Sequence, residues 1–270
     1  LAVTLGRTDR GFSPHAPLFE AIRHDPVVGA AALIAEPWDV GPGGYQLGKF
    51  PPQFLEWNDR FRDDVRRFWR GDAHVLPDLA TRLAGSSDVY GHYPDDSRST
   101  NFLAAHDGFT LADVTSYRRK HNLANGENGH DGHGENFSWN HSHEGDTPAP
   151  GIRAKRHDDV KAMLAILFVS RGTPLLTAGD EFGRTQKGNN NAYAQDNKTT
   201  WLDWAKRDLE LEAFTAELSA LRSRHPDLHS PLLLTGRALD GADMPDIQWF
   251  RADGRHMETA NWEDGENRFL

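Results

Sequence analysis

The sequence predicts an α/β fold in which helices alternate with short parallel strands, and three observations carry that prediction. The apolar runs at 31–35, 102–105 and 173–179 are long enough for buried strands and far shorter than the roughly 20 residues of a membrane helix. Helical spacing precedes the first and third of them. Each run gives way to polar or charged residues, and in parallel α/β sheets function collects at the carboxyl ends of strands.

Taken in order, residues 17–24 read as a short helix with Pro17 in its first turn, followed by a break at Pro26 and the first strand. A loop rich in Gly and Pro spans 41–52. Asn58 or Asp59 can then cap a helix whose apolar face is Phe61, Val65, Phe68 and Trp69, and Gly71 ends it. Another short helix falls at 76–83, and the second strand, 102–105, follows a polar turn. From 120 to 151 the chain turns to Gly, Asn, His and acid, too polar to pack alone and too long for a plain connector, so it reads as a functional surface loop. Residues 155–171 form an apolar helix (Val160, Met163, Leu164, Leu167) stopped by Gly172, and the third strand follows. Asp208 caps a final amphipathic helix carrying Leu211, Phe214, Leu218 and Leu221, closed by His225-Pro226. Beyond it, 232–234, 247–250 and the turn Asp253-Gly254 read as strands of a small β domain, which divides the chain at 226/227.

The 270 residues suffice for a large core, and 30 basic against 40 acidic side chains give a formal charge of −10. That balance disfavours nucleic acid or an anionic membrane as partner and suits a neutral one. There is no cysteine, hence no disulfide scaffold or thiolate metal site, and a reducing, cytoplasmic setting is the expectation. No membrane helix and no signal peptide are legible, and the start at Leu1 suggests that the natural N-terminus lies elsewhere.

Two strand ends carry chemistry. The first run ends in Glu36-Pro37-Trp38-Asp39, where Pro37 limits the backbone of Glu36 and Trp38 can exclude water from its carboxyl. A Glu kept protonated near neutral pH is what a glycosidic leaving oxygen needs. The bland reading is a rim carboxylate paired with an Arg. The second run ends in His106-Asp107-Gly108, which could equally be a structural pair or a set of hydrogen-bonding groups for sugar hydroxyls. Two acids at two strand tips suggest one pocket shared by neighbouring strands. Six histidines between 121 and 157, with Asp131, Glu135, Glu144 and Asp146, raise a metal site, yet they lack the fixed helical spacing that pre-organises ligands. A solvated loop is the default, and neither metal nor cofactor is expected. The amide run 188–197 can be turns or a surface for a hydroxyl-dense ligand.

With these residues assembled, the chain resembles the bacterial glycogen debranching enzymes of the isoamylase type, within the α-amylase clan of glycoside hydrolases. The carrying segments are LIAEPWDVGPGGYQLGKFP (33–51), EWNDRFRDDVRRFWRGD (56–72), NFLAAHDGFTLADVTSY (101–117), ANGENGHDGHGENFSWN (124–140) and TPLLTAGDEFGRTQKGNNNAYAQDN (173–197). The resemblance implies the second half of a (β/α)8 barrel over 1–226, the beginning of a C-terminal β domain over 227–270, and retaining hydrolysis of α-1,6 branch linkages in an α-glucan such as glycogen or limit dextrin. It further implies Glu36 and Asp107 as catalytic residues, Glu36 as general acid/base, with His106 and Asp107 binding the ring at the cleavage subsite and stabilising the transition state. Trp38, Asp39, Tyr193 and Asp196 fall in motif loops that line the cleft. The family's nucleophilic Asp, in an Arg-x-Asp-Leu-Ala context, falls one residue before Leu1, so this chain by itself is expected to lack debranching activity. Half a barrel also leaves unpaired strand edges. Two rival readings stay open: a non-catalytic carbohydrate-binding or interaction module on the same fold, and a metal-dependent hydrolase using the His-rich loop.

Overall fold

The computed structural model describes residues 1–91, 96–193, 195–238, 241 and 243–268. A 3-10 turn at Ala2–Gly6 leads into the hairpin β1 (Arg7–Thr8) and β2 (Gly11–Phe12), then α1 (Pro17–His24), β3 (Leu33–Ala35), β4 (Phe54–Asn58), α2 (Asp59–Arg70), α3 (Leu76–Leu83), α4 (Ser87–Tyr90), β5 (Ser99–Phe102), α5 (Leu111–Val114), α6 (Pro150–Val169), β6 (Thr173–Leu175), α7 (Leu209–Arg224), α8 (Pro226–His229) and α9 (Thr259–Glu263). Four strands form one parallel sheet in the order β3-β4-β5-β6, so all their carboxyl ends share one edge.

The predicted helices stand where capping chemistry places them. Asn58 accepts from the Phe61 amide at 3.1 Å to start α2, and Gly71, at φ +93°, ends it in the left-handed conformation. Asp208 accepts from the Leu211 amide at 3.0 Å to start α7. Helix α6 begins five residues earlier than its apolar spacing suggested, because Pro150 serves as its first-turn residue.

The strands depart more from expectation. β4 falls in a stretch to which the sequence reading assigns no element, and β5 lies at 99–102 rather than 102–105. In both, the inward positions are polar: Glu56, Asn58, Ser99 and Asn101 are fully buried, so hydrophobicity does not mark them. Their polar groups satisfy one another. Asn58 Nδ2 donates to Ser86 Oγ and Ser99 Oγ, both at 2.9 Å. Ser99 Oγ donates to Asn101 Oδ1 at 2.6 Å, and Asn101 Nδ2 donates to the Arg171 carbonyl at 2.7 Å. Gly172 permits that last approach: at φ +106°, a Cβ there would stand 2.7 Å from the Ser99 carbonyl oxygen.

The parallel register puts Ala35, Glu56, Ser99 and Asn101 on the buried face, while Ile34, Leu55 and Trp57 on the other face are half-buried or exposed. Phe61 and Val65 of α2, Met163, Leu164 and Leu167 of α6, and Leu211 and Leu218 of α7 form the main core. A second cluster stacks Phe12, Phe19, Phe50 and Phe54 at centroid distances of 5.0 to 6.1 Å around Ala35. Among the described residues past α8, the segments 232–234 and 247–250 do not form the expected strands; isolated antiparallel bridges join Ala238 to Pro245 and Phe250 to His256. The tail rests on the barrel-side helices through backbone bonds from Leu234 to Ala84 and from His74 to Gly265.

Replacing Asn58 by alanine removes the α2 cap and leaves Ser86 and Ser99 without their buried donor. We expect a loss of about 2–4 kcal/mol in urea unfolding; a loss below about 0.5 kcal/mol would show that water or a rearranged neighbour fills the role.

Candidate active site

Glu36 stands one residue beyond β3, and His106-Asp107 follow β5 on the same edge. They are not on neighbouring strands, as the sequence had suggested: β4 lies between, so two strand spacings, about 9–10 Å, separate their supports. The Glu36 side chain is about a quarter exposed. The Ala2 amide donates to the Glu36 carbonyl at 3.2 Å. Trp38 beside it is half-buried.

Asp39 is committed to the protein itself. Its carboxylate takes both arms of Arg7, at 2.6 and 3.1 Å, and the Gly41 amide at 2.8 Å, while Arg7 also reaches the Pro42 carbonyl. The Arg7 hydrogen bond holds this carboxyl below the usual range. Asp39 therefore fastens the loop that follows Glu36.

On the other strand, the exposed His106 ring lies 5.6 Å from Trp57, which in turn packs on Phe102 at 5.5 Å. Asp107 faces His133 Nε2 at 3.4 Å, and that hydrogen bond, reinforced by the charges of His106, His133 and Arg62, keeps its carboxyl ionised below the ordinary range. Asp107 lines a cavity of about 40 Å³ with Arg62, Arg66 and His133, room for a few waters rather than a sugar ring. Tyr193 is 81% exposed, and Asp196 accepts from the Trp201 indole at 2.8 Å.

The histidines of the polar loop disperse. His121 pairs with Glu144, His141 with Asp159 and His157 with Asp208, while His143 meets the Asp146 carbonyl. Among the described residues no three His, Asp or Glu groups gather as a metal site. The amide run is likewise turned inward. Asn122 and Asn190 exchange two hydrogen bonds, at 2.8 and 3.0 Å; Asn190 also donates to Asn136 and the His133 carbonyl, and Asn189 bonds Asn125. These amides stitch loop 120–137 to loop 188–191.

Sequence reasoning overlooked the groups that hold the tips in place. Arg66 is wholly buried and donates to the Leu103 and Asn136 carbonyls, tying the segment before His106 to the polar loop; burial pushes its guanidinium down to about 9. An arginine beside the apolar stripe of α2 was the available signal. Asp113 accepts from the Thr185 hydroxyl and the Gln186 amide, and burial raises it to about 6. Asp180, 2% exposed, accepts the Leu111 amide at 3.0 Å, and burial raises it to about 7.

A parallel sheet packed against helices, with acid-bearing loops on its carboxyl edge, fits a segment of a (β/α)8 barrel, and solved structures agree in fold. The fold matches pullulanase type I from Bacillus subtilis with a TM-score of 0.57 at 24% identity, over 79% of this chain and 28% of that one. It also matches a pullulanase from Anoxybacillus sp. LM18-11 with a TM-score of 0.54 at 26% identity, over 80% of this chain and 29% of that one. In sequence the chain is 46% identical to the glycogen debranching enzyme of Erwinia tasmaniensis over 99% of its length and 48% identical to that of Serratia proteamaculans over 98%. A glycogen operon protein GlgX homolog of Mycobacterium bovis is 45% identical over 99%. The chain spans about 40% of the length of these relatives. No family model matches it. It belongs to the glycogen debranching enzyme family.

Two outcomes test these environments. His133→Ala should let Asp107 titrate closer to the ordinary carboxylate range, read by carboxyl carbon NMR; an unmoved titration would show that His133 does not hold it. Because the folded Asp180 binds its proton more tightly than the unfolded one, its protonated form stabilises fully below about pH 4. That contribution is lost as pH rises through about 7. Asp180→Asn should flatten this loss, which amounts to at most about 4 kcal/mol at about 1.4 kcal/mol per pKa unit, in urea unfolding from pH 4 to 8. Parallel pH profiles of the two chains would refute the assignment.

Proposed function

We propose that this chain is the carboxyl half of the catalytic barrel of a retaining glycosidase that hydrolyses α-1,6 branch linkages of glycogen or limit dextrin, followed from residue 227 by the beginning of a β domain. Glu36 is the general acid/base: it protonates the leaving glycosidic oxygen and then deprotonates the attacking water. Asp107, ionised beside His133, and the exposed His106 bind hydroxyls of the ring being cleaved, where hydrogen bonds strengthen as the ring distorts. Trp38 shields the Glu36 carboxyl, Tyr193 offers an exposed ring to the cleft, and Asp39 and Asp196 act by shaping the loops that bear them. We place the enzyme in the cytoplasm and assign it no cofactor. Among the described residues, no helix is long and apolar enough to cross a membrane.

The observation that carries this reading is the 45–48% identity to glycogen debranching enzymes over nearly the whole chain. Retention requires a second carboxyl about 5–5.5 Å from the acid, and Asp107 is not assigned that role.

The test is a chimera in which this chain replaces the matching segment of the Erwinia tasmaniensis enzyme. It should release reducing ends from β-limit dextrin, and Glu36→Gln should lower kcat by about 10²–10⁴-fold. Full turnover in that variant would remove Glu36 from the mechanism. Binding of limit dextrin without any turnover in the parent chimera would favour a non-catalytic carbohydrate-binding module instead.

A further inference from the structure

Asp107 and the imidazole that faces it come from separate parts of the chain. Asp107 follows β5, whereas His133, whose Nε2 stands 3.4 Å from Asp107 Oδ2, belongs to the polar loop 120–137. Neither residue sits in a helix or strand of its own. Both are held by a third segment, through Asn190 in the loop beyond β6. Its main-chain carbonyl accepts from the Gly108 amide at 3.0 Å and so fixes the backbone directly after Asp107. Its side-chain Nδ2 donates to the His133 carbonyl and to Asn136 Oδ1, both at 2.9 Å, and its Oδ1 accepts from Asn122 Nδ2 at 2.8 Å. Both amide hydrogens are therefore spent on the loop that carries His133.

Arg66 joins the same two pieces a second time, donating to the Leu103 carbonyl at 2.9 Å and to the Asn136 carbonyl at 3.0 Å. Gly132 shows how closely Asn190 approaches: a Cβ at the residue before His133 would collide with Asn190 Oδ1 and Asn122 Nδ2. Asn190, Asn122, Asn136 and Arg66 are all buried, so the network owes nothing to the open edges of the sheet at β3 and β6. A buried amide with its hydrogen bonds made is rigid, and its removal would deprive three buried or half-buried groups of a partner.

We propose that Asn190 is a positioning residue for the cleavage step, acting through Gly108 on Asp107 and through the His133 carbonyl on the imidazole, and so setting the distance between the two. Asp107 is thereby aimed at the ring being cleaved, where its hydrogen bonds strengthen as the ring distorts. The inference rests on the role proposed above for Asp107 and adds the residue that aims it.

Two measurements keep the inference and that role apart. In the 270-residue chain, Asn190→Ala should raise the midpoint of the Asp107 carboxyl titration, read by carboxyl carbon NMR, as far as His133→Ala does. Combining the two should raise it no further. Arg62, Arg66, Asp63 and Glu135 border the same cavity and His106 adds its charge, but none of these is altered, so they cancel in the comparison. Asn189→Ala, which removes a neighbouring amide bonded to Asn125 instead, should leave the midpoint in place. A midpoint unmoved by Asn190→Ala, or moved equally by Asn189→Ala, would overturn the proposal. If Asn190→Ala does not fold by circular dichroism, hydrogen exchange of the Gly108 amide in the unaltered chain decides: slow exchange supports the clasp, and exchange as fast as in an unprotected peptide overturns it. In the chimera described above, Asn190→Ala should lower kcat on β-limit dextrin about tenfold or more and leave KM within about threefold, with His133→Ala costing nothing further in that background. An undiminished kcat, or additive losses, would also overturn the proposal. A chimera that never cleaves, in a chain whose Asp107 titration still responds to Asn190, would count against the catalytic reading alone.

Discussion

A line of buried hydrogen bonds running from Ser86 through Asn58, Ser99 and Asn101 to the Arg171 carbonyl is the constraint on which the architecture depends. It crosses β4 and β5 and reaches the residue before Gly172, where the chain turns from α6 into β6. Buried polar groups are costly unless satisfied, and each of these has a partner of definite geometry, so the line admits one register where apolar packing would admit several. Asn58 extends the constraint to the helix layer, because the same side chain that bonds β5 also starts α2.

The strand tips inherit their placement from that arrangement. With β4 locked between β3 and β5, Glu36 and Asp107 leave one edge of the sheet at a separation set by strand spacing. Arg66, a buried residue of α2, then secures the backbone ahead of His106, and the Arg7–Asp39 pair secures the backbone after Glu36. Each tip thus has a clamp whose charges belong to the scaffold.

Much of this was legible in the residues. The helices were readable because caps and glycine stops are local: Asn58, Gly71, Asp208 and His225-Pro226 act within one turn of where they stand. The strand ends at Glu36 and His106-Asp107 were readable as polar breaks after apolar runs. β4 escaped because Glu56 and Asn58 occupy its inward positions, and polarity at a buried site becomes intelligible only once Arg98 and Ser99, some 40 residues away, are seen to satisfy it. The functions of Arg66, Asp180 and the asparagine run were hidden for the same reason. Their partners lie 37 to 70 residues distant, beyond any spacing rule.

The asparagine stitching between 120–137 and 188–191 has a consequence for how such a surface can change. Neither segment is anchored by a hydrophobic stripe of its own, and each finds its hydrogen-bond partners in the other. Lengthening one without adjusting its counterpart would strand buried amides on both sides. The two segments are therefore constrained as a unit, and a change of length in one calls for a matched change in the other, some 55 to 70 residues away along the chain.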